Sequence, residues 1–135
     1  MVLSLRKLVR ERASRRCEYC HLPDEFASPA RFHVEHIIAR KHGGSDEPGN
    51  RCWSCHRCNL CKSSNLSGID SSTGRLAALF HPRRQGWKRH FRWRGPILIG
   101  LTATGRATIA VLDINNPRRL ELRQHLIAAG VFPDD

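Results

Sequence analysis

A chain of 135 residues is one domain by length, with room for a modest core, and its 40% apolar content and mean hydropathy of −0.46 leave no run long enough to cross a bilayer. The formal charge of +11, from 23 basic residues against 12 acidic ones, argues against a cationic partner and favours a polyanion such as nucleic acid over charge that only keeps the chain in solution. Six cysteines without an export signal argue for metal rather than disulfides, so the expected location is the cytoplasm.

In chain order, Leu3, Leu5, Leu8 and Val9 recur at helical spacing among Arg6, Lys7, Arg10 and Arg12, which predicts a helix over residues 4–15. It leads into Cys17-Glu-Tyr-Cys20, after which Pro23 and Pro29 flank a loop. Arg31 to Ile38 is rich in β-branched and aromatic residues and reads as a strand. Residues 41–50, with Gly43, Gly44, Pro48 and Gly49, are dense in turn formers and read as a loop. A short helix is expected from His56 to Ser64, opened by Cys55-His-Arg-Cys58, and residues 67–74 read as polar loop.

Three strands then follow, Trp87 to Trp93, Ile97 to Leu101 and Arg106 to Asp113, with the last two joined across Thr104-Gly105. If the first of these is a strand, Arg89, Phe91 and Trp93 share one face while Lys88, His90, Arg92 and Arg94 form a basic face on the other. A closing helix is bounded by Asn116 as N-cap, Pro117 at the first helical position and Gly130 past its end.

Two Cys-x-x-Cys pairs at this spacing supply the four ligands of a tetrahedral structural zinc, which would draw both ends of the intervening segment together. The second pair is ambiguous, since Cys52, Cys55, Cys58 and Cys61 repeat every third residue. Between the pairs lie Glu35, His36 and Asn50, with Asn59 directly after Cys58. Hydrolysis of a phosphodiester needs a base for water and a cation to neutralise phosphate charge, and imidazole and carboxylate suit those two roles. Adjacent strand residues point to opposite faces, so Glu35 and His36 can serve one target only if the strand ends and twists there.

The order Cys-x-x-Cys, Glu-His-Ile, Gly-Gly, Asn, Cys-x-x-Cys-Asn-x-x-Lys, over Arg12 to about Asn65, resembles the HNH endonucleases of the ββα-metal type that carry a four-cysteine zinc site. The resemblance implies an α+β fold: a zinc-stapled, treble-clef-like ββα core with a C-terminal β-hairpin and helix extension. It makes His36 the general base, Glu35 and Asn59 ligands of a catalytic Mg²⁺ or Mn²⁺, and Asn50 the residue that fixes the His-bearing loop. It also selects Cys17, Cys20, Cys55 and Cys58 as the zinc ligands, leaving Cys52 in the core and Cys61 along the helix.

Glu35 stands where the family usually has Asp, and Asn59 where its name has a second His. Lys62, one turn beyond Asn59, matches a basic position of the family and is expected at phosphate. Arg83, Arg84, Lys88, Arg92 and Arg94 are expected along the nucleic-acid backbone. The expected organisation is an N-terminal helix and nuclease core over 1–66 and a basic extension over 67–135, packed on the core as one domain. The function so read is metal-dependent hydrolysis of DNA, RNA remaining open as substrate, against the alternative of a non-catalytic zinc module that binds DNA or RNA.

Overall fold

A computed structural model of the chain describes residues 4–27 and 31–133. Leu3 and Pro29 lie outside the described residues. The chain divides into two compact units, one running to Ser64 and including His81–Gln85, the other made of Asn65–Phe80 and the chain from Gly86 onward. No helix among the described residues is long and apolar enough to cross a membrane.

In the first unit, helix α1 (Leu5–Arg12) starts where the Ser4 side chain accepts from the Lys7 amide and buries Val9. Its arginines act as fasteners. Arg10 forks onto the buried Asp24 at 2.7 and 3.1 Å, and Asp24 also accepts from the Trp53 indole at 3.2 Å. Arg12 donates to the carbonyls of Pro48 and Arg51, while Arg6 donates to Phe32 and stacks 4.7 Å above the Trp53 ring. These bonds hold α1 against an antiparallel pair, β1 (His33–His36) and β2 (Arg51–Ser54), whose register sets Val34 opposite Trp53, Glu35 opposite Cys52 and His36 opposite Arg51.

Helix α2 (His56–Lys62) follows β2 directly, with Cys55 as its N-cap. Two strands and a helix in this order form the expected ββα core. The 37–50 connection returns to the ladder because the Ile37 amide bonds to the Asn50 carbonyl at 2.8 Å. Gly44 is required there, since a Cβ at that position would strike the Ile38 carbonyl oxygen.

The second unit departs from the sequence expectation in three places. Residues 67–74, expected as loop, contain β3 (Ser67–Ile69), which pairs with β4 (Leu76–Ala78). The turn between them is organised by the buried Asp70, which accepts from the Ser72 amide and the Thr73 hydroxyl and takes a fork from Arg106 at 2.6 and 3.0 Å. Trp87 to Trp93 is not one strand. It begins as a helical turn, α3 (Trp87–His90), and becomes β5 only at Phe91–Arg94. The turn carries His90 inside, where its Nδ1 lies 2.6 Å from the Thr102 hydroxyl, so His90 leaves the supposed basic face.

Strand β5 pairs with β6 (Ile97–Gly100), making this the hairpin of the extension. The third difference is α4 (Ala103–Leu112), a helix where a strand and a hairpin turn were expected. The Thr102 side chain caps it by accepting from the Gly105 amide, and Thr108 Oγ1 donates back to the Thr104 carbonyl. Thr104-Gly105 is therefore not a hairpin turn. Gly105 lies within the first turn, bare of Cβ because one would strike the His90 carbonyl. Helix α5 (Pro117–Ala128) begins as expected, with Asn116 accepting from the Arg119 amide at 3.0 Å.

Buried Arg123 reaches back from α5 to the carbonyls of Pro96 and Ile114 and lies 5.2 Å from the Trp93 ring centre, tying the hairpin to the helices. Thr108 ties α4 to the chain after β4, since the same hydroxyl accepts from the Phe80 amide at 2.9 Å. Thr108→Val keeps the shape but leaves that buried amide unpaired, a loss of about 1–3 kcal/mol. Chemical denaturation should show the lowered unfolding free energy; an unchanged midpoint would show that the bond does not contribute.

Candidate functional site

The thiols of Cys17, Cys20, Cys55 and Cys58 all lie within 4.8 Å of one another, and all four residues are buried. Cys20 Sγ and Cys55 Sγ are 3.8 Å apart. A tetrahedron with metal–sulfur arms of about 2.3 Å has edges of about 3.8 Å, so the donor set and its spacing fit zinc. Backbone geometry builds the cluster from both sides. The Cys17 amide bonds to the Leu22 carbonyl and the His21 amide to the Cys17 carbonyl, folding the first pair into a knuckle. At the second, Cys55 Sγ accepts from the Cys58 amide at 3.4 Å.

Without a cation, burial pushes the Cys17 thiol well above its ordinary range, and neighbouring thiols, with burial, do the same to Cys58. The choice among the repeating cysteines agrees with this cluster. Cys52 is buried elsewhere, its sulfur 3.6 Å from both the Tyr19 hydroxyl and the Glu35 carboxylate, and Cys61 is half-buried on α2.

A cleft of about 430 Å³ is lined among others by His33, Glu35, His36, Arg40, Asn59 and Ser64. The end of β1 brings Glu35 and His36 to the same cleft despite strand alternation, but in different states. His36 is half-buried, and its Nε2 lies 2.7 Å from Asp46 Oδ1. Arg40 Nε donates to the same oxygen at 2.8 Å, and Arg40 first, then His36, holds the Asp46 carboxyl down at about 2.

Glu35 lies at the buried end, its carboxylate 3.4 Å from Lys62 Nζ. Burial pushes Glu35 up to about 7 against the opposing pull of Lys62. Asn50 bonds the Ile38 amide through its side-chain oxygen and the carbonyls of Ile38 and Ser45 through its nitrogen, which clamps the loop after His36. His33 stands with its Nε2 3.0 Å from His56 Nδ1.

Lys62 requires a correction. It was expected at phosphate, but it is buried, and its ammonium is held by the Ile37 carbonyl at 2.8 Å, the His36 carbonyl at 3.5 Å and Glu35. A helix–strand contact with a buried carboxylate inside is the cause: the lysine is the counter-charge of the core. Arg83 is likewise turned onto Glu18. Arg84, Lys88, Arg92 and Arg94 are exposed. Asp46 was overlooked in the turn-forming loop; its only signal in the sequence is an acid just after Gly43-Gly44, where the loop must turn back toward His36.

These features, two thiol knuckles enclosing a strand-end histidine and a ββα core, coincide with one comparison. Residues 17–65 match the model of the HNH endonuclease family. Comparison with curated proteins and with solved structures gives no match. The HNH segment and its thiol cluster support a nuclease-type or metal-binding nucleic-acid function for this part of the chain.

If the cluster holds zinc, the purified protein carries one tightly bound ion per chain, and folding of the HNH segment depends on it. Serine at Cys17, Cys20, Cys55 or Cys58 should lower zinc content and melting temperature together. Cys52→Ser and Cys61→Ser should keep the zinc, as measured by elemental analysis; zinc lost from the Cys61 variant and kept in the Cys55 variant would reassign the ligands.

Proposed function

We propose that the chain is a metal-dependent endonuclease that hydrolyses DNA phosphodiester bonds. The observation that carries this reading is the half-buried His36 imidazole, held at its outer edge and lining one cleft with Glu35 and Asn59 inside an HNH segment. His36 takes the proton of the water that attacks phosphorus, a role an imidazole nitrogen can fill as general base. Asn50 keeps the backbone after His36 in place, so the base does not drift as substrate enters.

Glu35 and Asn59 offer oxygen donors, which fit a hard divalent cation such as Mg²⁺ or Mn²⁺. An ion held by these two residues would neutralise charge on the phosphate and the departing 3′ oxygen. Lys62 already balances Glu35, so an ion competes for that carboxylate and is expected to exchange readily, unlike zinc at four thiols. The same pairing favours a second reading. With Glu35 buried and satisfied, the segment serves as a non-catalytic zinc module that binds DNA or RNA.

The nuclease core over 1–66 is the catalytic part, and the extension over 67–135 contributes affinity. Arg92 and Arg94 alternate on β5 and share a face, both exposed, with Lys88 exposed on the preceding turn. That face suits phosphate contacts without base selectivity.

Supercoiled plasmid incubated with and without Mg²⁺ or Mn²⁺ separates the readings. Metal-dependent nicking by the wild type, reduced about 10²- to 10⁴-fold in His36→Ala, is the expected outcome. A mobility shift without cleavage selects the binding module.

Arg92→Ala with Arg94→Ala should weaken binding to all DNA sequences alike and reduce the log–log salt slope by roughly one unit per lost contact. Cleavage at saturating DNA should persist. An unchanged slope in fluorescence titrations would mark these arginines as a solvated strand face.

A further inference from the structure

The contact between His36 and Asp46 joins two residues ten positions apart through a loop that is fastened at several points. Asn50 binds both backbone polar groups of Ile38 and the Ser45 carbonyl. Arg51, opposite His36 in the ladder, donates to the Asp46 carbonyl at 3.3 Å and to the Val34 carbonyl at 3.2 Å. The loop therefore delivers the Asp46 carboxylate to one side of the imidazole, and Arg40 holds the same oxygen from its far side.

An ionised carboxylate only accepts hydrogen bonds, and Asp46 beside Arg40 is ionised at neutral pH. The imidazole nitrogen facing it must then carry the hydrogen. In a neutral imidazole the other nitrogen is consequently the bare one.

We propose that Asp46 is the positioning residue of the catalytic base: it fixes His36 as the Nε2–H tautomer and leaves Nδ1 as the atom that receives the proton from water. This rests on the nuclease reading of His36. In the step itself, water loses a proton to Nδ1 as its oxygen bonds to phosphorus, the bond to the 3′ oxygen breaks with its electron pair passing to that oxygen, which takes a proton from solvent, and the imidazolium formed keeps its second proton against Asp46. The carboxylate thus also stabilises the charge that His36 gains. Its side chain is 61% exposed, so replacing it should disturb the tautomer without costing the fold.

The test combines two readouts on the full chain. Nitrogen-detected NMR of ¹⁵N-histidine protein, with the His36 signals assigned by their absence from His36→Ala, should show the Nε2–H tautomer in the wild type and a mixture in Asp46→Ala. Plasmid nicking should show kcat lowered about 10–100-fold in Asp46→Ala with KM and melting temperature unchanged, and a smaller loss in Asp46→Asn, which keeps an acceptor oxygen.

An Nδ1–H tautomer in the wild type, an unaltered tautomer in Asp46→Ala, or wild-type kcat in that variant each overturns the assignment while the nuclease reading stands. A wild type that does not cleave overturns both. A fall in melting temperature that parallels the loss of kcat would make Asp46 merely structural and likewise overturns the assignment.

Discussion

Four thiols buried within 4.8 Å of one another are a poor arrangement for neutral groups and a worse one for anions. Burial and mutual proximity both raise the cost of ionising Cys17 and Cys58, and a divalent cation reverses the sign of that cost. The geometry of the HNH segment depends on this closure. The first knuckle ends the approach from α1, the second caps α2, and β1 and β2 run between them. Drawing the knuckles together sets β1 against α2, and that contact places His36, Glu35 and Asn59 around one cleft.

The basic composition has a different distribution from the one its bulk suggests. Arg6, Arg10, Arg12 and Arg83 in the first unit, and Arg106 and Arg123 in the second, spend their donors on carbonyls, buried carboxylates and indole faces. The planar fork explains why arginine rather than lysine fills these places, since Asp24 and Asp70 each accept two parallel bonds. The net charge therefore overstates the number of free basic groups, although Lys88, Arg89, Arg92 and Arg94 on α3 and β5 are among those that stay exposed.

What the sequence revealed follows from the range of the forces involved. Cysteine spacing, the Asn116-Pro117 start of α5 and the turn-rich loop after Ile38 are local signals, and they are read correctly because covalent geometry and capping act within a few residues. The helix over 103–112 was misread because Thr108, Ile109 and Val111 favour strands locally, while Thr102 capping and a tertiary bond from Phe80 decide the outcome. Lys62 was misread for a related reason. Its place one turn beyond Asn59 is visible in the sequence, but the carboxylate across the strand–helix contact that draws it inward is not.

The two carboxylates near His36 show how environment divides similar groups into different tasks. Glu35 is buried, and the Lys62 ammonium only partly offsets that burial, so its carboxyl is pushed up to about 7. Asp46 keeps its water and gains an arginine, so it is ionised at neutral pH. An anion suits the task of orienting an imidazole, because it is not a donor that would reverse the tautomer. The strand alternation that sends Glu35 inward and leaves His36 at the loop thus gives two consecutive residues different partners, Lys62 for the first and Asp46 for the second.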